Sequence, residues 1–279
     1  MSSLDILNAT ILRGATCTAQ GISLRFEPGH IYAILGPNGT GKSSLLKAIF
    51  GEIEMQAGEV HYGERQLSRR QLKAWRENIG YMPQGNELDA CLTTLEVVLL
   101  GHLDALHMHV GDDVLEQALM LMQRVGIQHL AHRDIQSLSG GQRQLALFCQ
   151  VLLREPKILL LDEPVSALDM HHQLSLLEHV YTETRQRQLI TITVLHDLSL
   201  AAQFADRVIL LGEASVKAEG TPHDVLQPAL LSELYQVPVE RLHDSSGMPV
   251  IRPVRQTHSA SIEYAQLKHS QLNNSQSLC

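Results

Sequence analysis

Hydrophobic positions follow three patterns along this chain, and each predicts a different element. Ile22, Leu24 and Phe26 alternate with polar neighbours, the spacing of a strand with one wet face. Pro28-Gly29 then marks a turn. HIYAIL is an unbroken apolar run, which predicts a strand buried on both faces and ended by Gly36. After Lys42 the spacing turns helical through Leu45, Leu46, Ile49 and Phe50, with Gly51 as the stop. Val60 and Tyr62 mark a short strand, and IGYMP predicts another just before Gln84.

From about 92 to 153 the pattern is mostly helical. Thr93 and Glu96 form a capping box ahead of VVLLG, and Val114, Leu115, Ala118, Leu119, Met122 and Val125 predict one apolar helix face closed by Gly126. Alternation then resumes. KILLL, LITITVL and RVILLG predict strands, separated by a helix after Asp169 and a short helix from Asp197. Thr221-Pro222 starts a further helix, with a cap and a proline at its first position. Strands alternating with helices imply an α/β fold whose parallel sheet is covered on both faces, with the 92–153 block as a helical insertion. From about Arg255 the chain is rich in Ser, Gln, Asn and His, a composition that predicts a disordered tail over 254–279.

Composition narrows the function. The chain has 279 residues, 44% of them hydrophobic, enough for a sizeable core. A formal net charge of -8 argues against bulk attraction to nucleic acid. The four cysteines, Cys17, Cys91, Cys149 and Cys279, form no C-x-x-C pair and read as free thiols of a reducing compartment. The N-terminus lacks a basic start followed by an apolar run, and no stretch reaches 18 apolar residues, so a soluble, cytoplasmic chain is expected, reaching a membrane only through a partner. The 15 histidines, His107, His109, His171 and His172 among them, have no paired spacing with acids or cysteines and read as solvated surface residues rather than metal ligands.

Three segments carry chemistry. Gly36-Pro37-Asn38-Gly39-Thr40-Gly41-Lys42-Ser43, followed by Ser44, fits G-x-x-x-x-G-K-S between a strand and a helix. Its glycines let successive N–H groups turn toward phosphate oxygens, and the helix adds its positive end. Lys42 places a cation on the β and γ phosphates, and Ser43 offers a hydroxyl to Mg²⁺. In KILLLDEP, a buried strand delivers Asp162 and Glu163 to the sheet edge where α/β folds bind ligands. Asp162 suits Mg²⁺, and Glu163 suits an attacking water. LSGGQ, with Ser139, Gly140, Gly141 and Gln142, precedes a helix bearing Leu145, Phe148, Cys149 and Leu152. It offers a second anion-binding helix start, which one nucleotide does not need from the same chain; two chains head to tail would use both.

In order, GPNGTGKS, Gln84, LSGGQRQ, ILLLDEP, SALD and His196 resemble the motifs of ABC transporter ATP-binding subunits, and the likeness extends to about Pro253. The resemblance implies a P-loop NTPase sheet with an inserted helical subdomain and a small antiparallel β subdomain, forming one ATP-binding domain over 1–253. It implies a homodimer holding ATP and Mg²⁺ between copies, with Lys42 and Ser43 of one chain facing Ser139, Gly140, Gly141 and Gln142 of the other. By the same resemblance Gln84 touches Mg²⁺ and water and senses a membrane partner. Asp169 contacts the opposite subunit, and His196 holds the γ-phosphate and the water while Glu163 acts as base. The place where the family stacks adenine on an aromatic falls near Arg13, where the chain has none.

LTTLEVVLLGHLDALH and TPHDVLQPALLSELYQVPVE resemble segments of importers for iron-siderophores, haem and cobalamin, with Gly101-His102 where that group commonly has Gly-Arg. The implied protein is a peripheral ATPase on the cytoplasmic face of the inner membrane. It would drive permease subunits and, indirectly, serve a solute-binding protein, with no nucleic-acid partner. An export ATPase, or an ABC protein acting on ribosomes or DNA, are the alternatives.

Overall fold

The computed structural model describes residues 2–14, 16–85, 91–102 and 111–255. The first strands are β1 (Leu4–Arg13), β2 (Thr16–Phe26) and β3 (Ile31–Leu35), then helix α1 (Lys42–Phe50), β4 (Met55–Tyr62) and β5 (Arg65–Gln66). Next come α2 (Leu72–Arg76), β6 (Ile79–Met82) and three helices, α3 (Thr94–Leu99), α4 (Asp112–Arg124) and α5 (Gly140–Leu152). The chain continues with β7 (Ile158–Asp162), α6 (Met170–Arg187), β8 (Ile190–Val194), α7 (Leu198–Phe204), β9 (Arg207–Gly212) and β10 (Ser215–Gly220). It closes with α8 (Pro222–Val225), α9 (Pro228–Tyr235) and the hairpin β11 (Val239–His243) and β12 (Pro249–Pro253).

The main sheet runs β10-β9-β3-β8-β7-β6. All its pairs are parallel except the edge strand β10, which returns antiparallel on β9. The period-2 alternation of β3 divides the interior into two cores. Ile31, Ala33 and Leu35 join α3 to α7 on one face, whereas Tyr32 and Ile34 join α1 and the sheet β2-β1-β4-β5 on the other. A strand buried on both faces has no polar alternation to show, which is why IYAIL, ILLLD and ITITV read as near-continuous runs.

The expected caps are present. Thr93 and Glu96 close a capping box on α3, Thr221 and Asp224 one on α8, and Asp169 and Asp197 cap α6 and α7. Each cap is worth about 1 kcal/mol. One reading needs correction, and one element had no reading. On α4 the buried face is Val114, Ala118, Leu121 and Met122, with Leu115 and Leu119 only half-buried. The β11–β12 hairpin carries no clear alternation, because its half-buried positions pack on the ends of α7 and α9 rather than on a sheet. The tail from 256 and His107, Met108 and His109 lie outside the described residues.

Candidate active site

The carboxyl ends of β3, β8, β7 and β6 lie side by side, so the segments that follow them meet at one edge. β3 leads into the phosphate loop, β7 ends at Asp162 before Glu163, His196 follows β8, and Gln84 follows β6. Together with the turn between β1 and β2 they line a cleft of about 600 Å³.

The phosphate loop is possible only with glycine at two tight points. Gly36 sits at φ 145 and Gly41 at φ 94, and an added Cβ would fall 2.2 Å from the Leu211 carbonyl oxygen or 2.0 Å from that of Thr18. Lys42 is buried beneath the loop. Its ammonium donates to the carbonyls of Gly36 at 2.7 Å and Pro37 at 2.9 Å. Burial lowers its pKa, while Glu163 and Asp162 oppose that shift. Thr40 faces inward to the loop, its hydroxyl donating to Pro37 O at 2.9 Å.

Ser43, the second residue of α1, donates to the Asp162 carboxylate at 2.9 Å. Asp162 is 2% exposed, and burial raises its pKa; the Ser43 hydrogen bond opposes the rise and Glu163 adds to it. The two hard oxygen donors sit beside a phosphate loop, the donor set that Mg²⁺ shares with phosphates. Glu163 stands at φ 53, a left-handed conformation that a non-glycine residue rarely adopts. Its two carboxylate oxygens accept from Gln84 Nε2 at 2.7 Å and from His196 Nε2 at 2.6 Å. A carboxylate gripped by two donors at a cleft wall has a fixed direction, which is what orienting a water requires.

Of the sequence-assigned residues, Asn38, Gly39, Gly41, Lys42, Ser43, Ser44, Gln84, Glu163 and His196 line the cleft. Gly36, Pro37, Thr40 and Asp162 support it from behind. Arg13, Thr16 and Thr18 line it too, and among the described residues no Tyr, Phe or Trp does. Sequence reasoning missed Thr16 and Thr18, which reach the cleft through the β1–β2 turn. It also missed Tyr235, at the end of α9. Burial pushes that phenol up to about 12, against a backbone hydrogen bond with Gly36. Neither contact leaves a local pattern.

Ser139, Gly140, Gly141 and Gln142 do not line this cleft. They form the start of α5, where Ser139 Oγ accepts from the Gln142 N–H at 3.3 Å and Gln142 Oε1 from the Ser139 N–H at 3.2 Å. The first N–H groups of a helix have no partner within it, and here they belong to two glycines, Gly140 exposed and Gly141 buried. Asp169 lies next to this turn as the cap of α6. Hydrogen bonds from the His172 backbone and imidazole hold its carboxyl below the ordinary value. His172 is therefore not the solvated surface residue its composition suggested.

The ABC transporter family profile matches residues 19–166. The hemin import ATP-binding protein HmuV of Rhodopseudomonas palustris strain BisB5 is 35% identical over 266 residues, covering 88% of this chain and 95% of that protein. The protein of the same name from Photobacterium damselae subsp. damselae is 36% identical over 256 residues, covering 89% and 95%. Among solved structures, a metal-chelate type ABC transporter in an inward-facing conformation superposes with a TM-score of 0.80 at 25% identity, covering 92% of this chain and 99% of that one. A bacterial ABC transporter cassette solved as a dimer gives a TM-score of 0.70 at 26% identity, covering 78% and 98%.

Proposed function

The chain belongs to the ABC transporter family as an ATP-binding subunit that hydrolyses ATP to drive import, and from that premise we propose that it powers haem uptake. It would do so as a pair of copies beneath a permease, on the cytoplasmic face of the inner membrane, fed by a solute-binding protein. The whole of 1–253 serves as one ATP-binding domain, with 92–153 as its helical part.

One observation carries this reading: the Glu163 carboxylate, held between Gln84 and His196, faces the cleft that the phosphate loop opens. In this reading Lys42 exchanges the Gly36 and Pro37 carbonyls for the β and γ phosphates of ATP. Ser43 and Asp162, with Gln84, would hold Mg²⁺, whose charge would offset that of the phosphate oxygens. Glu163 orients a water and takes its proton. The water oxygen bonds to the γ-phosphorus as the bond to the bridging oxygen breaks, and ADP leaves with that electron pair. His196, at the cleft mouth, steadies the γ-phosphate. Positioning and electrostatics supply most of the rate. The SGG turn lies outside its own chain's cleft, which supports a second copy as the one that supplies Ser139, Gly140, Gly141 and Gln142, with Asp169 beside them.

In this reading the permease docks between the two parts of the chain. A groove of about 510 Å³ separates the sheet-bearing core from the helical insertion, lined by Phe50, Arg76, Tyr81, Leu100, Gln150 and Arg154 among others. Arg76 lies 4.6 Å from the Phe50 ring centre and donates to the carbonyls of Phe50 and Gly51 at the end of α1. The Phe50 and Tyr81 rings are 4.9 Å apart, and Tyr81 stands three residues before Gln84. A rigid helix and a short strand thus join the groove to both the phosphate loop and Gln84.

The test uses the complex of this chain with its permease in proteoliposomes. A haem-loaded binding protein should stimulate ATP hydrolysis, and a cobalamin-loaded one should not. Glu163→Gln should lower turnover by roughly a hundredfold or more while ATP still binds and holds the pair closed. Turnover near wild type would remove Glu163 from its role, and stimulation by cobalamin alone would overturn the haem reading.

A further inference from the structure

His172 touches two segments that the proposed reading brings to the partner's nucleotide. Its Nδ1–H donates to Asp169 Oδ1 at 2.8 Å, and the same carboxylate oxygen accepts the His172 backbone N–H at 2.9 Å. A carboxylate only accepts, so Nδ1 carries the proton in this bond. On its other side the ring lies against Gly141. A Cβ there would fall 2.2 Å from His172 Cδ2, 2.3 Å from Cγ and 2.7 Å from Cβ. Two of these atoms belong to the stiff ring and the third is fixed to the α6 backbone, so the overlap could not be relieved by a flexible side-chain end. Leu168 adds a looser contact, with its Cδ2 3.8 Å from a Cβ at Gly140. Gln173 Nε2 donates to Leu168 O at 3.0 Å and ties the loop to α6.

We infer that His172 is a positioning residue that joins the SGG turn and the Asp169 loop into one unit, and that Gly141 must be glycine because His172 occupies the space of its side chain. Gly141 has no positive φ among the described glycines, so backbone strain does not demand glycine there. The ring does. With Gly141 pressed on His172 and Asp169 held by it, the start of α5, with Gly140 exposed, keeps a fixed bearing relative to Asp169. A second copy therefore meets a preformed surface. The exposed side chain of Met170, 77% accessible, stands between Asp169 and the histidines as an apolar contact for that copy. The inference deepens the two-copy reading and rests on it.

The experiment measures steady-state ATP hydrolysis and ATP binding by the full chain, with dimerisation followed by light scattering in the Glu163→Gln background. Losing the Asp169 hydrogen bond in His172→Ala should lower kcat about tenfold and weaken ATP-driven dimerisation similarly. ATP affinity of the separate chain should be unchanged. His172→Asn, whose amide nitrogen replaces Nδ1, should keep most of the wild-type kcat. Gly141→Ala, which must displace the turn against the ring, should lose roughly a hundredfold. Gly141→Ala combined with His172→Ala should recover the part of the loss that the ring causes, stopping short of the His172→Ala level because the Ala Cβ stays 2.7 Å from the added methyl, a non-additivity that only direct contact gives. Thermal melts confirm that each variant folds. Wild-type kcat in His172→Ala, or a Gly141→Ala defect of the same size with and without His172, would overturn the inference while leaving the two-copy reading intact. If Glu163→Gln alone stays monomeric with ATP, the two-copy reading itself falls and takes the inference with it.

Discussion

The phosphate-loop end of the chain and its SGG end differ in what occupies their polar groups. At the first, every charged group the chemistry needs already has an internal partner: Lys42 rests on two carbonyls, Ser43 on Asp162, and Glu163 between Gln84 and His196. At the second, among the described residues, the side chains of Ser139, Gln142, Asp169 and His172 bond only among their own neighbours, and Gly140 at the helix start is exposed. The first end can take ATP by exchanging partners, which limits the cost of burying a lysine and two carboxylates between turnovers. The second end cannot reach a phosphate in its own chain. On the proposed reading binding and hydrolysis are thereby divided: one copy holds ATP, and closure by the other completes the reaction.

The sharpest way to break this division is to damage the first end alone. Lys42→Ala removes a cation whose charge-assisted bonds to phosphate are each worth about 1.5–3 kcal/mol, so ATP binding should weaken roughly a hundredfold. The SGG turn should be untouched, and the variant chain should still complete the site of a wild-type partner. Titration calorimetry with ATP measures the loss. Unchanged affinity would place the phosphates elsewhere.

A smaller effect, of opposite sign for stability and activity, is expected at Asp162. Its native pKa is raised by burial above the ordinary 3.8. For an acid, a raised native value favours the protonated form in the folded chain. The resulting stabilisation is full below about pH 4 and is lost as pH rises through the native value. At neutral pH the folded chain carries a buried charge at a net cost. Asp162→Asn keeps an acceptor for Ser43 without that charge. The nucleotide-free variant should therefore melt about 2–4 °C higher at pH 7–8, for roughly 1 kcal/mol. The gain should shrink toward pH 4, and hydrolysis should be lost. A lower melting temperature at pH 8 would show that the carboxylate is compensated inside the fold.

The same contrast explains what the sequence could show. The phosphate loop, the Asp162-Glu163 pair and His196 were legible because each is a short run at the end of a buried strand, where local order and chemistry coincide. The parallel sheet was legible from the unbroken runs of β3, β7 and β8. The edge strand β10 was not, since its direction depends on a turn and not on its own pattern. Thr16 and Thr18 were hidden because the β1–β2 pairing shifts register several times, so counting along the strand does not tell which residues reach the cleft. His172 was hidden for a different reason. Its partner Gly141 lies on another helix, and a histidine in a polar stretch looks the same whether it faces water or a glycine.

The smallest effect, and the finest test of the first end, concerns Arg13. It lines the cleft together with the phosphate loop, near where the family resemblance would put an aromatic ring on the base. A guanidinium is planar and can stack likewise, and it is also a cation that could reach a phosphate. The two roles differ in size and in ligand. A stacked arginine at an exposed site contributes about 0.5–1 kcal/mol, so Arg13→Ala should raise the Kd for ATP roughly two- to fivefold. It should act equally on ATP and GTP, because every base offers a face, and leave the affinity for inorganic triphosphate unchanged. Arg13→Tyr should restore ATP affinity, since the ring supplies the same face without the charge. An arginine on phosphate would behave otherwise: its loss would weaken inorganic triphosphate as much as ATP, and tyrosine would not compensate. Competition of inorganic triphosphate against a fluorescent ATP analogue, in the wild-type chain and both variants, separates the two roles. The base is the favoured role, because on the proposed reading Lys42 already serves the phosphates.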